Sequence, residues 1–219
     1  MMTRRRVLLG LAAALALPSF AAGQSDAEVD FIRAAQLDAV SRVKTALARG
    51  VNPNTRDANG ETGLIIAMRY EAMKVARLLM ATPGIDLEAK APNGNTALMM
   101  AAFRKNREAV VELLERGAQV NQKGWTALHY AAAAGSIEIT SLLLEKHAYI
   151  DAETPTGMTP LMIAAREGQE EVVGLLLVEG ADATLKDGGF HLNAAGFATK
   201  ADKPWIARQI NAFLAARQR

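Results

Sequence analysis

The chain has 219 residues, half of them apolar, with 25 Lys and Arg against 23 Asp and Glu, so it can bury a core and is not disordered by composition. It has no cysteine, which excludes disulfides, thiol catalysis, zinc-thiolate sites and thiol redox sensing. Without residues 1–23 the balance is 22 basic to 23 acidic side chains, a net charge of −1, so no global basic field or basic run draws the protein onto nucleic acid or anionic lipid.

Residues 1–23 read as a signal peptide. Arg4, Arg5 and Arg6 precede an apolar run from Val7 to Leu17, followed by Pro18 and small residues around Ser19-Phe20-Ala21-Ala22. The run is too short to span a bilayer stably, so cleavage near Ala21 or Ala22 is expected rather than a retained anchor, with no stable membrane insertion afterwards. Thr3-Arg4-Arg5-Arg6-Val7-Leu8 fits a twin-arginine export signal as well as ordinary secretion. A periplasmic or secreted protein is expected.

One domain is expected over 24–219. It opens with a diverged unit, 26–60, where Phe31-Ile32-Arg33-Ala34-Ala35, Val43, Ala46, Leu47, Gly50 and Asn54 keep an apolar spacing that recurs downstream. Four regular units follow at 61–94, 95–124, 125–157 and 158–189. Each carries one phrase, Thr62-Gly63-Leu64, Thr96-Ala97-Leu98, Thr126-Ala127-Leu128 and Thr159-Pro160-Leu161, at steps of 34, 30 and 33 residues. Five residues after each Thr stands Ala: Ala67, Ala101, Ala131 and Ala164. The Thr begins a short helix as its cap, the small residues permit close helix packing, and a longer second helix carries Leu78-Leu79, Leu113-Leu114, Leu142-Leu143-Leu144 or Leu175-Leu176-Leu177 into the stack. Gly117, His147 and Gly180 occupy helix-ending positions, and turns anchored on Asn54, Glu88, Asn121, Asp151 and Thr184 project beyond them. The segment 190–219 loses the phrase and ends in a helix opened by Pro204, with Trp205, Ile206, Ile210, Phe213 and Leu214 on one face.

A period in this range marks a solenoid of stacked units, and the threonine phrase resembles the T-P-L-H-x-A signature of the ankyrin repeat. The expected fold is therefore all-α: an ankyrin-repeat solenoid of helix-turn-helix units with projecting turns, about six repeats including two diverged caps. The fourth position of the phrase, His in this family, is Ile65, Met99 and Met162 here, and only His129 keeps the family residue. The resemblance implies that such a His ties adjacent repeats by hydrogen bonds, with apolar contact taking its place elsewhere. Between Asn121 and Gly124 the turn is three residues shorter than its neighbours, so one finger should be blunt.

No constellation for catalysis is present. His129, His147 and His191 lie apart from one another, and the sequence has no nucleophile elbow, P-loop or dinucleotide fingerprint, so the protein is expected not to be an enzyme and to hold no cofactor. An alternative function, a periplasmic metal or small-ligand handling protein, rests on a column of Met99, His129 and Met162, whose donors suit Cu(I).

The resemblance implies that partners bind the concave side, made of turn tips and the exposed ends of the first helices. Carried over by position, this row comprises Arg69-Tyr70, Phe103-Arg104, Ala133-Ala134 and Arg166-Glu167. Aromatic and Arg side chains are the types enriched at interface hot spots. The expected binding residues are Arg69, Tyr70, Phe103, Arg104, Lys123, Trp125 and Arg166, and the basic character, thickened by Lys105 and Arg107, favours a protein partner with an acidic patch. Trp125, beside the shortened turn, either projects as an anchor or packs down to fill the missing finger. The expectation is a monomeric, exported, non-enzymatic interaction module acting as a stabiliser, inhibitor or immunity-type partner.

Overall fold

A computed structural model describes residues 25–217; the signal-peptide segment lies outside the described residues. Twelve helices occur among them, paired in chain order into six units, and the only bridge between extended residues joins Arg56 to Thr62. The first helices are α1 (Asp26–Gln36), α3 (Gly63–Arg69), α5 (Ala97–Phe103), α7 (Ala127–Ala134), α9 (Pro160–Glu167) and α11 (Ala194–Lys200). Their partners are α2 (Val40–Ala48), α4 (Met73–Met80), α6 (Arg107–Glu115), α8 (Ile137–Glu145), α10 (Glu170–Val178) and α12 (Pro204–Ala216).

Capping sets where each first helix starts. The Thr62, Thr96 and Thr159 hydroxyls each accept the N–H three residues on, of Ile65, Met99 and Met162, at 3.4 Å. In the last unit Asn193 replaces Thr and accepts from the Gly196 N–H at 2.9 Å, 34 residues after Thr159. Ala198 stands five residues after it, so 190–219 contains the phrase in disguise. The first unit uses Ser25, whose side chain accepts from Glu28 N–H while the Glu28 carboxylate takes the Ser25 N–H.

Small residues then set how closely the first helices pack. Ala34, Ala35, Ala67, Ala101, Ala102, Ala131, Ala132, Ala164, Ala165 and Ala198 are all fully buried. They let successive first helices pack more closely than the second helices do, and the exposed ends of the first helices line one side of the stack, its inner face. On the second helices Leu79, Leu113, Leu143 and Leu176 are completely enclosed and Leu177 nearly so, contributing roughly 1.5–3 kcal/mol each, while Leu78, Leu114, Leu142, Leu144 and Leu175 are only half-buried. In α12, Ile206 and Ile210 are buried and Phe213 and Leu214 half-buried, but Trp205 turns outward to lie beside the Lys203 ammonium.

The turns are tied into a ladder by the anchoring residues. The Asn54 amide donates to the Gly84 carbonyl and accepts from the Asp86 N–H, both at 2.8 Å. Glu88 accepts from Gln119 N–H, Asn121 donates to the His147 carbonyl and accepts from Tyr149 N–H, and Asp151 accepts from Asp182 N–H. Each bond spans one repeat, so the same side-chain position bridges successive units. Thr184 differs: its N–H and hydroxyl both donate to Asp182 within its own turn.

The blunt finger is visible in its hydrogen bonding. Elsewhere a backbone N–H closes the turn onto the residue before the helix cap: Asp57 to Glu61, Ala91 to Asn95, Thr154 to Met158 and Asp187 to Leu192. In the short turn the Gln122 side-chain amide makes that bond, to the Trp125 carbonyl.

Candidate protein-binding face

The predicted row assembles on the inner face. Tyr70 caps the end of α3, Phe103 ends α5, and both remain exposed, at 54% and 48%. Ala133 and Ala134 follow on α7, so the row dips between Phe103 and Arg166. Phe103 does not stand alone. Its ring meets Tyr130 edge-on at 6.0 Å, Tyr130 lies 5.6 Å from Trp125, and Trp125 lies 5.5 Å from His129. Tyr130, in α7, was not among the residues expected from the sequence. It occupies a position filled elsewhere by buried Ile66, Met100 and Ile163, and nothing but that substitution signals it.

Trp125 takes the second of its two alternatives. The ring is half-buried and packs against both stretches of apolar core, which divide at this unit, so it fills the space left by the missing finger rather than projecting. Lys123 stands exposed at the tip of that turn.

The arginines of the row are each matched by a carboxylate of this chain. Arg69 pairs with Glu61, Arg104 Nε bonds Glu71 at 2.9 Å, and Arg166 Nε bonds Glu167 at 2.9 Å. The Arg104 and Arg166 pairs are half-exposed and contribute little to stability, typically ~0–1 kcal/mol, whereas Glu61 is largely buried against Arg69. Arg69 Nε is buried without an acceptor among the described residues, so that guanidinium keeps an unused donor. Lys105, Lys123 and Lys200 take part in no ion pair among the described residues.

His129 is fully buried and committed at both nitrogens. Nδ1 accepts the Thr126 N–H at 3.1 Å, and Nε2 lies 3.1 Å from the Met158 carbonyl of the next unit, to which it donates. Burial outweighs the hydrogen bonds to Met158 and Ala152 and lowers its pKa to about 4. Met99 and Met162 are likewise enclosed. The metal column expected as an alternative is thereby overturned: its imidazole has no lone pair left to give, and its thioethers have no mouth to open on. No cluster of three or more His, Asp or Glu side chains able to hold a metal occurs among the described residues.

At the far end of the row the structure shows a pocket of about 280 Å³ lined by Met158, Arg166, Phe190, Phe197, Lys200 and Ala201. Lys200 stands seven residues after the Asn193 cap, as Arg69, Phe103 and Arg166 stand seven after their Thr caps. The sequence hid this site because the last unit lacks the Thr. Its loop is held by Asp187, buried beneath it. Burial pushes that carboxyl up, but N–H bonds from Phe190, Leu192 and Gly189 outweigh it and hold the pKa below the usual carboxylate range.

The comparisons with known proteins agree with this architecture. The family described as Ankyrin repeats (3 copies) matches residues 31–123 and 119–187. Mouse Protein fem-1 homolog A-like is 39% identical over 139 residues, covering 62% of this chain and 21% of that protein. Human Transient receptor potential cation channel subfamily A member 1 is 33% identical over 159 residues, 68% of this chain and 14% of that one. The chain thus spans about a fifth or less of the length of these curated relatives. A crystal structure of an ankyrin repeat domain from Acinetobacter baumannii AYE superposes with a TM-score of 0.70 at 25% identity, covering 85% of this chain and 98% of that one. Capped short helices, alanine-lined contacts and the family match over most of the described residues together show that the chain belongs to the ankyrin repeat family.

Proposed function

We propose that the protein is a non-enzymatic module that binds another exported protein on the face formed by the ends of its first helices. Ankyrin repeats are interaction scaffolds, and one observation carries the location here: Tyr70 and Phe103 are exposed aromatic rings at the ends of the first helices of neighbouring units, each next in sequence to an arginine. Leaving such rings in water is unfavourable in a monomer, and covering them is what an interface core does. A standard interface of roughly 800 Å² per partner fits such a row.

The partner's acidic patch is supported by the cations along the row. Lys105, Lys123 and Lys200 offer ammonium groups, and the half-exposed internal pairs of Arg104 and Arg166 can re-form with a partner's carboxylates. Export rests on the pattern of residues 1–23. Among the described residues no helix is long and apolar enough to cross a membrane. The role is that of a stabiliser, inhibitor or immunity-type protein for its partner.

Replacing Arg69, Tyr70, Phe103 and Arg104 together with Ala tests the reading. Capture from a periplasmic or extracellular extract should then lose the partner retained by the wild type, with helical circular dichroism and melting near normal. Undiminished capture would contradict it.

A further inference from the structure

The pocket at the end of the row combines an apolar floor with a cationic rim. Met158 and Phe197 are buried, and the Phe190 ring packs edge-on against Phe197 at 6.3 Å while remaining 63% exposed. Lys200 holds its ammonium over the Phe190 ring, 3.0 Å from the centroid. Arg166 spends Nε and one terminal nitrogen on Glu167, whereas Nη1 reaches only the Met158 thioether at 3.7 Å, a weak acceptor. No carboxylate lines the pocket. Two cations with spare capacity therefore flank an apolar depression.

Its size and its rigidity narrow the occupant. At about 280 Å³ the space falls just below the range of roughly 300–1,000 Å³ usual for cofactor and drug-sized sites, and suits one inserted side chain. The backbone that carries the exposed Phe190 is held by a set of hydrogen bonds. The Phe190 N–H and those of Gly189 and Leu192 are gripped by the Asp187 carboxylate at 2.8–2.9 Å, and Gly188 N–H is tied to the Thr156 carbonyl of the preceding turn at 2.9 Å. An aromatic ring on a held backbone loses less freedom when a ligand covers it.

We propose that an acidic segment of the protein partner inserts one aliphatic or aromatic side chain between Met158, Phe190 and Phe197, with flanking carboxylates on Arg166 Nη1 and Lys200 Nζ. This rests on the inner-face reading above and names the chemistry at one end of it. Asp187 is a positioning residue, acting through the loop that carries Phe190.

The test uses the full chain and fluorescein-labelled heptapeptides followed by anisotropy: Asp-Glu-Asp-Leu-Asp-Glu-Asp, the same peptide with Ser for Leu, and the Leu peptide with its carboxylates changed to amides. The Leu peptide should bind, and either peptide change or Lys200→Glu should weaken binding by about tenfold or more. Phe190→Ala should weaken it too, with melting curves confirming that both variants are folded. No binding of the Leu peptide, equal binding of the Leu and Ser peptides, or full binding by Lys200→Glu would overturn the proposal. Peptide binding should survive in the Arg69, Tyr70, Phe103 and Arg104 to Ala variant; its loss there would assign the peptide to the other end of the row and overturn the pocket. Capture of the natural partner by that same variant tests the broader reading separately.

Discussion

Gln122 donates its side-chain amide to the Trp125 carbonyl at 2.7 Å, making the bond that a backbone N–H makes in the longer turns. A shortened finger is thereby closed without a finger's backbone. Gln122→Ala should cost about 1 kcal/mol in urea unfolding, the worth of one hydrogen bond. Gln122→Glu should cost more at neutral pH, because a carboxylate then faces the carbonyl. An unchanged midpoint for both variants would show that the carbonyl is satisfied otherwise.

The buried imidazole makes stability depend on pH. His129 titrates at about 4 when folded against 6.5 in its ordinary state, so between those values the unfolded chain binds a proton that the folded chain refuses. Its contribution is full above pH ~6.5 and is lost as pH falls toward ~4, with a total of about 3 kcal/mol. His129→Met, matching Met99 and Met162, should be less stable at neutral pH, having lost the bonds to Thr126 and Met158. It should also lose less stability than the wild type on acidification, as urea midpoints across that window will show. Parallel slopes would contradict the assignment.

His147 ends α8 with φ of +62°, in the position where Gly50, Gly117 and Gly180 stand in other units. Its side chain is exposed, so little packing is at stake. His147→Gly should stabilise by up to about 1 kcal/mol, the relief of the left-handed backbone less the entropy glycine adds to the unfolded chain. A lower melting temperature would count against this.

The first unit is fitted to the second through an aromatic ring. A Cβ on Gly63 would lie 2.8 Å from Phe31 Cε1, in the place where Ala97, Ala127 and Ala194 carry theirs. Gly63→Ala should therefore destabilise by about 1–3 kcal/mol despite the better helix propensity of Ala, and Phe31→Leu should restore part of the loss when combined with it. Stabilisation by the single change would refute this account of the junction.

Much of this was legible from the threonine phrase, because capping and close packing are local demands that name their residues. Thr62, Thr96, Thr126 and Thr159 mark helix starts, and His129 bridges to the next unit as the resemblance implies. What escaped the sequence depended on substitution within the pattern or on packing across units. Asn193 caps as well as Thr, so the last unit kept its geometry while losing its spelling, and the Lys200 pocket went unread with it. Tyr130 occupies an otherwise buried apolar position, and only the neighbouring Phe103 and Trp125 rings explain its aromatic character. Charge was misleading for a similar reason: Glu61, Glu71 and Glu167 fold back onto the arginines that composition counts as a basic row.

The central claim, that a protein partner covers the ends of the first helices, is tested most directly by hydroxyl-radical footprinting of the captured complex. Tyr70, Phe103 and Phe190 should be protected, while Val178 and Phe213 on the second helices should oxidise as in the free protein. Protection confined to Val178 and Phe213, with Tyr70 and Phe103 still reactive, would contradict it.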